Sequence, residues 1–108
     1  MTDFRVCFVT AANLEQAKSL ARLVLERRLA ACVNIVSNVT SMYWWEGAIT
    51  EDGEVMLIVK SDRSKVEELI STIAAAHSYS VCEVLCLPVV AGNPAYLKWL
   101  NKELLVDS

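Results

Sequence analysis

Along this chain the spacing of apolar residues switches between short continuous runs and a helical period. Phe4 to Thr10 is a short apolar run rich in Val and Phe, which predicts a buried strand. Asn13 then supplies a helix N-cap, with Gln16 three residues on to answer the cap's own N–H. Ala17, Leu20, Ala21, Val24, Leu25 and Leu29 recur at helical spacing, while Glu15, Lys18, Arg22, Glu26 and Arg27 fill most of the other face. Cys32 to Trp45, rich in Val, Ile, Thr, Tyr and Trp, predicts a long strand broken near Ser37-Asn38. Glu54 to Lys60 is expected to pair with it across a connection carrying Gly47 and Glu51-Asp52-Gly53.

A second capping box, Ser64-Lys65-Val66-Glu67, is expected to open a helix whose stripe is Val66, Leu69, Ile70, Ile73 and Ala74. Continuing that spacing lands on His77, which places this histidine at the helix C-terminus on the core-facing side. Val81 to Val90 reads as a fourth strand, and Pro88 argues that this end lies at a sheet edge or bulge. Gly92-Asn93-Pro94 forms a turn, an N-cap and a first-turn proline ahead of a helix carrying Leu97, Leu100 and Leu104 on one face. The order β-α-β-β-α-β plus a C-terminal helix predicts an α+β, ferredoxin-like split-βαβ sandwich with its helices on one face of the sheet. The other sheet face then lacks a cover in a single chain.

Composition sharpens that point. The 108 residues fit one domain, 1–108, and 55% of them are hydrophobic. A domain of this size buries only about two thirds of the surface its unfolded chain exposes. So large an apolar share calls for a partner subunit, and a homo-oligomer is expected. Ten Lys+Arg against 13 Asp+Glu give a net charge of −3, which offers nucleic acid no electrostatic footprint. The longest apolar stretch, Val84 to Ala91, contains Pro88 and is far short of the ~20 residues a membrane helix needs. The opening Met1-Thr2-Asp3-Phe4-Arg5 lacks the cationic head and apolar core of an export signal. The cytoplasm is therefore the expected compartment, where the four cysteines would remain thiols.

Candidate chemistry is sparse. Cys82 and Cys86 fall on one predicted strand ~13 Å apart, too far to share a metal whose thiolate bonds measure about 2.3 Å. Cys7 and Cys32 sit in predicted strands, where a thiol behaves as a small hydrophobe. His77 has two readings: a cation favoured by the negative end of its helix, or a soft-metal ligand helped by Tyr79, Cys82 and Glu83. Nucleophile elbows, dinucleotide fingerprints and phosphate-binding loops do not occur in the sequence, and no enzymatic activity is expected. Glu46, Glu51, Asp52 and Glu54 read as a solvated acidic turn or, less simply, as carboxylates paired for acid–base work. Trp44 and Trp45 point to opposite faces of a strand, so one of them must meet a neighbouring subunit or a cleft. Lys60 ends an apolar strand; it is either a snorkelling surface lysine or the contact for an anionic ligand.

Three blocks carry a resemblance: Arg28-Leu29-Ala30-Ala31-Cys32-Val33-Asn34-Ile35-Val36, Thr40-Ser41-Met42-Tyr43-Trp44-Trp45-Glu46-Gly47, and Gly92-Asn93-Pro94-Ala95-Tyr96-Leu97-Lys98-Trp99. With Val9-Thr10-Ala11-Ala12-Asn13 they resemble the CutA divalent-cation-tolerance family, from about Val6 to Leu100. The resemblance implies a ferredoxin-like subunit in a tight homotrimer, linked to tolerance of copper and other divalent metals, without catalytic activity. It requires no cofactor and makes copper(II) or another divalent ion the expected partner. Where the family usually reads His-Pro-Tyr-Glu-x-Pro-Glu, this chain reads His77-Ser78-Tyr79-Ser80-Val81-Cys82-Glu83. The family's copper ligands, a Cys and a His-His pair, fall on Val9, Ala76 and His77. The expected metal ligands are thus His77, Cys82 and Glu83. The trimer also resembles the PII signalling proteins, which implies an alternative: a sensor of a small anionic ligand in an intersubunit cleft lined by Trp45, Lys60 and Tyr79.

Overall fold

Seven elements follow one another in the order β1 (Phe4–Ala11), α1 (Leu14–Glu26), β2 (Cys32–Trp45), β3 (Ala48–Asp62), α2 (Val66–Ala76), β4 (Val84–Pro88) and α3 (Pro94–Leu104). The computed structural model describes residues 2–105. The strands form one antiparallel sheet in the order β2-β3-β1-β4, giving an α+β fold of four strands and three helices. Pro88 lies on β4, an edge strand, where its missing N–H leaves no central ladder broken.

Local chemistry explains most of the boundaries. Asn13 Oδ1 accepts the Gln16 N–H at 2.8 Å and starts α1. Gln16 reaches back as expected, although its Oε1 accepts the N–H of Ala12 (2.9 Å), one residue before the cap. The helix ends at Arg28, whose φ of 56° is left-handed. The Leu29 N–H bonds the Val24 carbonyl at 2.9 Å and the Arg28 N–H bonds that of Leu25 at 3.1 Å, a Schellman closure made without glycine. The capping box expected at Ser64 does not form. Asp62 Oδ1 instead accepts the Ser64 N–H at 2.9 Å, and α2 starts without a side-chain cap.

The sharpest departures from the sequence reading lie in the strands. β3 begins at Ala48, so Glu51, Asp52 and Gly53 are ladder residues opposite Met42, Ser41 and Thr40 rather than a connection. The turn is only Glu46-Gly47, with φ of 49° and 80°, the two positive values a type I′ hairpin demands. In β2 the register slips between Val36 and Val39, around left-handed Asn38, where the sequence reading placed a break. β4 is confined to Val84–Pro88, which leaves Cys82 in the preceding loop.

The core fills one face of the sheet. Cys7, Val9 and Ala11 of β1 and Val55, Leu57 and Val59 of β3 pack under Leu20 and Val24 of α1 and Leu69 and Ile73 of α2. The opposite face holds Phe8, Met56 and Ile58 half-buried, with Val36, Leu85 and Leu87 exposed. The three helices do not share a face as expected, because α3 swings to this second side. Leu100 and Leu104 cover Phe4 there, and most of the face remains open.

The cysteines require a second correction. Cys7 and Cys86 stand directly opposite each other across β1 and β4 and are joined by a disulfide, with Cα atoms 4.0 Å apart. The sequence reading measured only along the strand from Cys82 to Cys86. The partner lay across the ladder, which requires knowing that β1 and β4 are neighbours. Cys32 and Cys82 remain free thiols.

Candidate functional site

Two segments meet beyond the start of β4: the far half of the β2–β3 hairpin and the loop that follows α2. His77 closes α2 in extended conformation and anchors that loop. Its Nε2 lies 2.7 Å from the carbonyl oxygen of Thr10, and its Nδ1 accepts the Tyr79 N–H at 3.0 Å. A carbonyl only accepts and an amide N–H only donates, so Nε2 donates to Thr10 and Nδ1 accepts from Tyr79. Both nitrogens are thereby engaged. The helical spacing had placed His77 at the end of α2, and it stands there, half-buried.

Tyr79 rests against this ring, centroids 4.7 Å apart, and its phenol donates to Glu54 Oε2 at 3.1 Å. Burial, then the Glu54 bond and its charge, push the Tyr79 phenol up to about 12. On the hairpin, Tyr43 donates to Asp52, and that bond raises the Tyr43 phenol as well. Each phenol thus keeps its proton further into the alkaline range than an ordinary tyrosine.

The slip in β2 decides which side chains take part. Without it, alternation from Val36 would put Met42 and Trp44 on the face of Glu54. With one extra residue at Ser37-Asn38, Val39 pairs with Glu54, and Ser41, Tyr43 and Trp45 follow on that face. Between hairpin and loop lies a cavity of about 640 Å³ whose walls include Tyr43, Trp45 and Tyr79. Asp52, Glu54 and Glu83 also line it, and no Lys, Arg or His does so among the described residues.

Of the residues singled out from sequence, Trp45, Tyr79 and Glu83 come together at this cavity. Lys60 does not. It stands opposite Cys32 on the paired strand, bonds Asn34 Oδ1, and lies 3.8 Å from Cys32 Sγ. It lies six positions along β3 from Glu54, roughly 20 Å of extended chain. Cys82 is half-buried in the loop between Tyr79 and Glu83. His77, Cys82 and Glu83 do not converge: no group of three His, Cys, Asp or Glu side chains able to hold a metal forms among the described residues. Sequence reasoning had placed Asp52 in the connection and Glu54 at the first position of its strand, reading both as a solvated acidic turn or as paired carboxylates, and had given Tyr43 no partner. A period-2 reading that allowed for the slip at Asn38 would have found both.

Comparison with known proteins places this geometry. Residues 5–103 match the family model of the CutA1 divalent ion tolerance protein. The chain is 48% identical over 94 residues to the protein CutA homolog of Xenopus laevis, covering 87% of this chain and 62% of that protein, so it spans less than two thirds of that relative. It is 41% identical over 97 residues to the divalent-cation tolerance protein CutA of Thermus thermophilus, covering 90% of this chain and 94% of that one. The crystal structure of CutA1 from Oryza sativa superposes with a TM-score of 0.91 at 42% identity, covering 94% of each chain. The chain belongs to the CutA1 divalent ion tolerance protein family.

Proposed function

We propose that this chain acts in divalent-cation tolerance as a cytoplasmic homotrimer of ferredoxin-like subunits, one domain over residues 1–108, binding soft metal ions weakly. The observation that carries the assembly is the open sheet face. Val36, Leu85 and Leu87 are 44%, 61% and 47% exposed there, and Trp44 and Trp45 on the projecting hairpin are 73% and 51% exposed. Apolar area of that extent marks a surface that another subunit covers. The strand order β2-β3-β1-β4 supports the ferredoxin-like reading.

The metal in this reading is cargo, and the donors offered to it are His77, Cys82 and Glu83. Imidazole, thiol and carboxylate suit copper(II) or zinc chemically. Their arrangement limits affinity. A metal reaches His77 only after the bond to Thr10 or that to Tyr79 is broken, because each ring nitrogen already has a partner. Binding is therefore coupled to opening of the loop after α2, which costs part of the affinity. The anion-sensor alternative places its cleft between subunits; within one chain Lys60 lies away from the carboxylate-lined cavity.

Sedimentation equilibrium tests the assembly; a stable monomer would overturn it. Calorimetric titration with copper(II) tests the site. Weak binding near one ion per chain, reduced in both His77→Ala and Cys82→Ala, is expected. Binding indifferent to both substitutions removes these residues from the metal site.

A further inference from the structure

From the place of the Cys7–Cys86 disulfide in the sheet, we propose that it is a redox-sensitive clamp on the loop after α2. Closed, the bond holds that loop against the sheet. Reduced by a small thiol, it lets the start of β4 leave β1 and the loop open. The clamp stands whether or not the loop binds a metal.

β4 is the strand least able to hold itself. It has five residues, lies at the sheet edge and pairs with β1 alone among the described strands. Leu85 and Leu87 are exposed, and Val84 and Cys86 reach only the margin of the core. β1, by contrast, is also paired with β3 along its whole length, from Phe4 to Ala11. Little apolar burial therefore opposes local opening of β4.

The two ends of β4 differ. Past Pro88 the Val89 N–H bonds the Phe4 carbonyl at 3.1 Å, and the Thr2 N–H bonds the Val89 carbonyl at 3.0 Å, so this end is tied on. At the other end Val84 follows directly on the loop that carries Ser78 to Glu83. Opening starts at Val84. With the disulfide intact it stops at Cys86, and the loop stays tied at both ends, by His77 to Thr10 and by Cys86 to Cys7. The bond acts by removing the open states in which β4 has left β1. Without it the second tie rests on the ladder alone, from Val84 opposite Val9 to Pro88 opposite Arg5.

Access decides the chemistry. Cys7 is fully buried and Cys86 only half-buried at the edge, so an incoming thiolate attacks the Cys86 sulfur. A mixed disulfide forms at Cys86, and the Cys7 sulfur leaves as a thiolate and takes a proton. A second thiolate attacks the reductant's sulfur in the mixed disulfide and expels the Cys86 thiolate, which is protonated in turn. Two reductant thiols become one disulfide, and their two electrons and two protons end on Cys7 and Cys86.

Two free thiols supply the readout. Cys82 sits in the loop just before β4, and Cys32 opens β2 at the opposite edge of the sheet. The protein in its solution assembly, with a chelator present, is pulsed with iodoacetamide under native conditions, and peptide fragmentation locates the label at each cysteine. Oxidised protein is compared with protein reduced by dithiothreitol and desalted, and with Cys86→Ala, which cannot form the bond. In both, Cys82 should be labelled on the order of tenfold faster than in oxidised protein, with Cys32 unchanged. Amide exchange should quicken in the loop and from Val84 to Leu87, and not in β2 or β3. Should Cys86→Ala fail to fold, the reduced wild-type protein gives the same reading. An unchanged Cys82 rate, a rise shared equally by Cys32, or a bond that dithiothreitol reduces only after unfolding each overturns the proposal.

Discussion

His77 joins two segments that are distant in sequence: Nε2 donates to the carbonyl of Thr10 at 2.7 Å, while Nδ1 receives the N–H of Tyr79 at 3.0 Å. One ring thereby fastens the loop after α2 to the end of β1 and sets where Tyr79 stands against Glu54. Ser78 and Cys82 lack the ring by which a proline would fix φ in this loop. In this chain the constraint rests on the histidine.

His77→Ala should therefore destabilise the protein through more than its own burial. Two hydrogen bonds are lost and the Thr10 carbonyl, on a buried residue, is left without its partner. A loss of about 1–3 kcal/mol is expected. Denaturant unfolding measures it, and an unchanged midpoint would show that the ring fastens nothing.

Tyr79 makes stability depend on alkaline pH. Its phenol is pushed up to about 12 by burial and then by Glu54, above the ordinary value of 10.0. The folded state thus holds the proton more tightly than the unfolded chain does. That contribution is fully present below pH 10 and is lost as pH rises from 10 toward 12. Tyr79→Phe should be less stable near neutrality and should show a flatter decline over that window. Tyr43 and Tyr96 are raised as well, by the Asp52 hydrogen bond and by burial respectively, so ultraviolet titration of tyrosinate should find no phenol ionising at the ordinary value before unfolding.

The hairpin turn offers a purely conformational test. At Gly47 a Cβ would meet nothing within 4 Å, yet φ is +80°. Gly47→Ala should cost about 1 kcal/mol through backbone strain alone. Glu46 already bears φ of 49° with an unsuitable side chain. Glu46→Asn, which gives the Asn-Gly pair favoured in type I′ turns, should raise the thermal midpoint. Opposite signs in the two variants are the diagnostic result.

Sequence patterns found the elements whose signals are local. Asn13 capped its helix, His77 fell at the end of α2 by spacing, and Ser37-Asn38 marked the irregularity in β2. What escaped was set by partners across the fold. The stop of α1 at Arg28 lacks the usual glycine, so nothing in the sequence marks it. The outer half of β3 is extended because β2 pairs with it, and with nearly all its side chains exposed it shows no alternation to read. Lys60 and Tyr79 were assigned to one intersubunit cleft on chemistry alone; within one chain Lys60 lies six positions along β3 from Glu54, the residue Tyr79 bonds.

The disulfide gives the last test, since it bears on compartment as well as stability. Cys7 is fully buried and Cys86 is half-buried beside it, so native protein should resist alkylation at both. Unfolded without reductant, the chain should take alkylating reagent at Cys32 and Cys82 only, and at all four cysteines after reduction. The bond closes a sequence separation of 79 residues, and reduction should cost about 2–4 kcal/mol, largely by freeing the unfolded chain. Comparing urea midpoints with and without reductant measures that cost. Protein expressed in a reducing cytoplasm and taken from it under an acid quench then decides what the pair does in such a compartment. Two reactive thiols would mean that the bond survives a reducing compartment, protected by the core around Cys7. Four would mean that this pair is a dithiol there, and that the sheet is held between β1 and β4 by its ladder and packing alone.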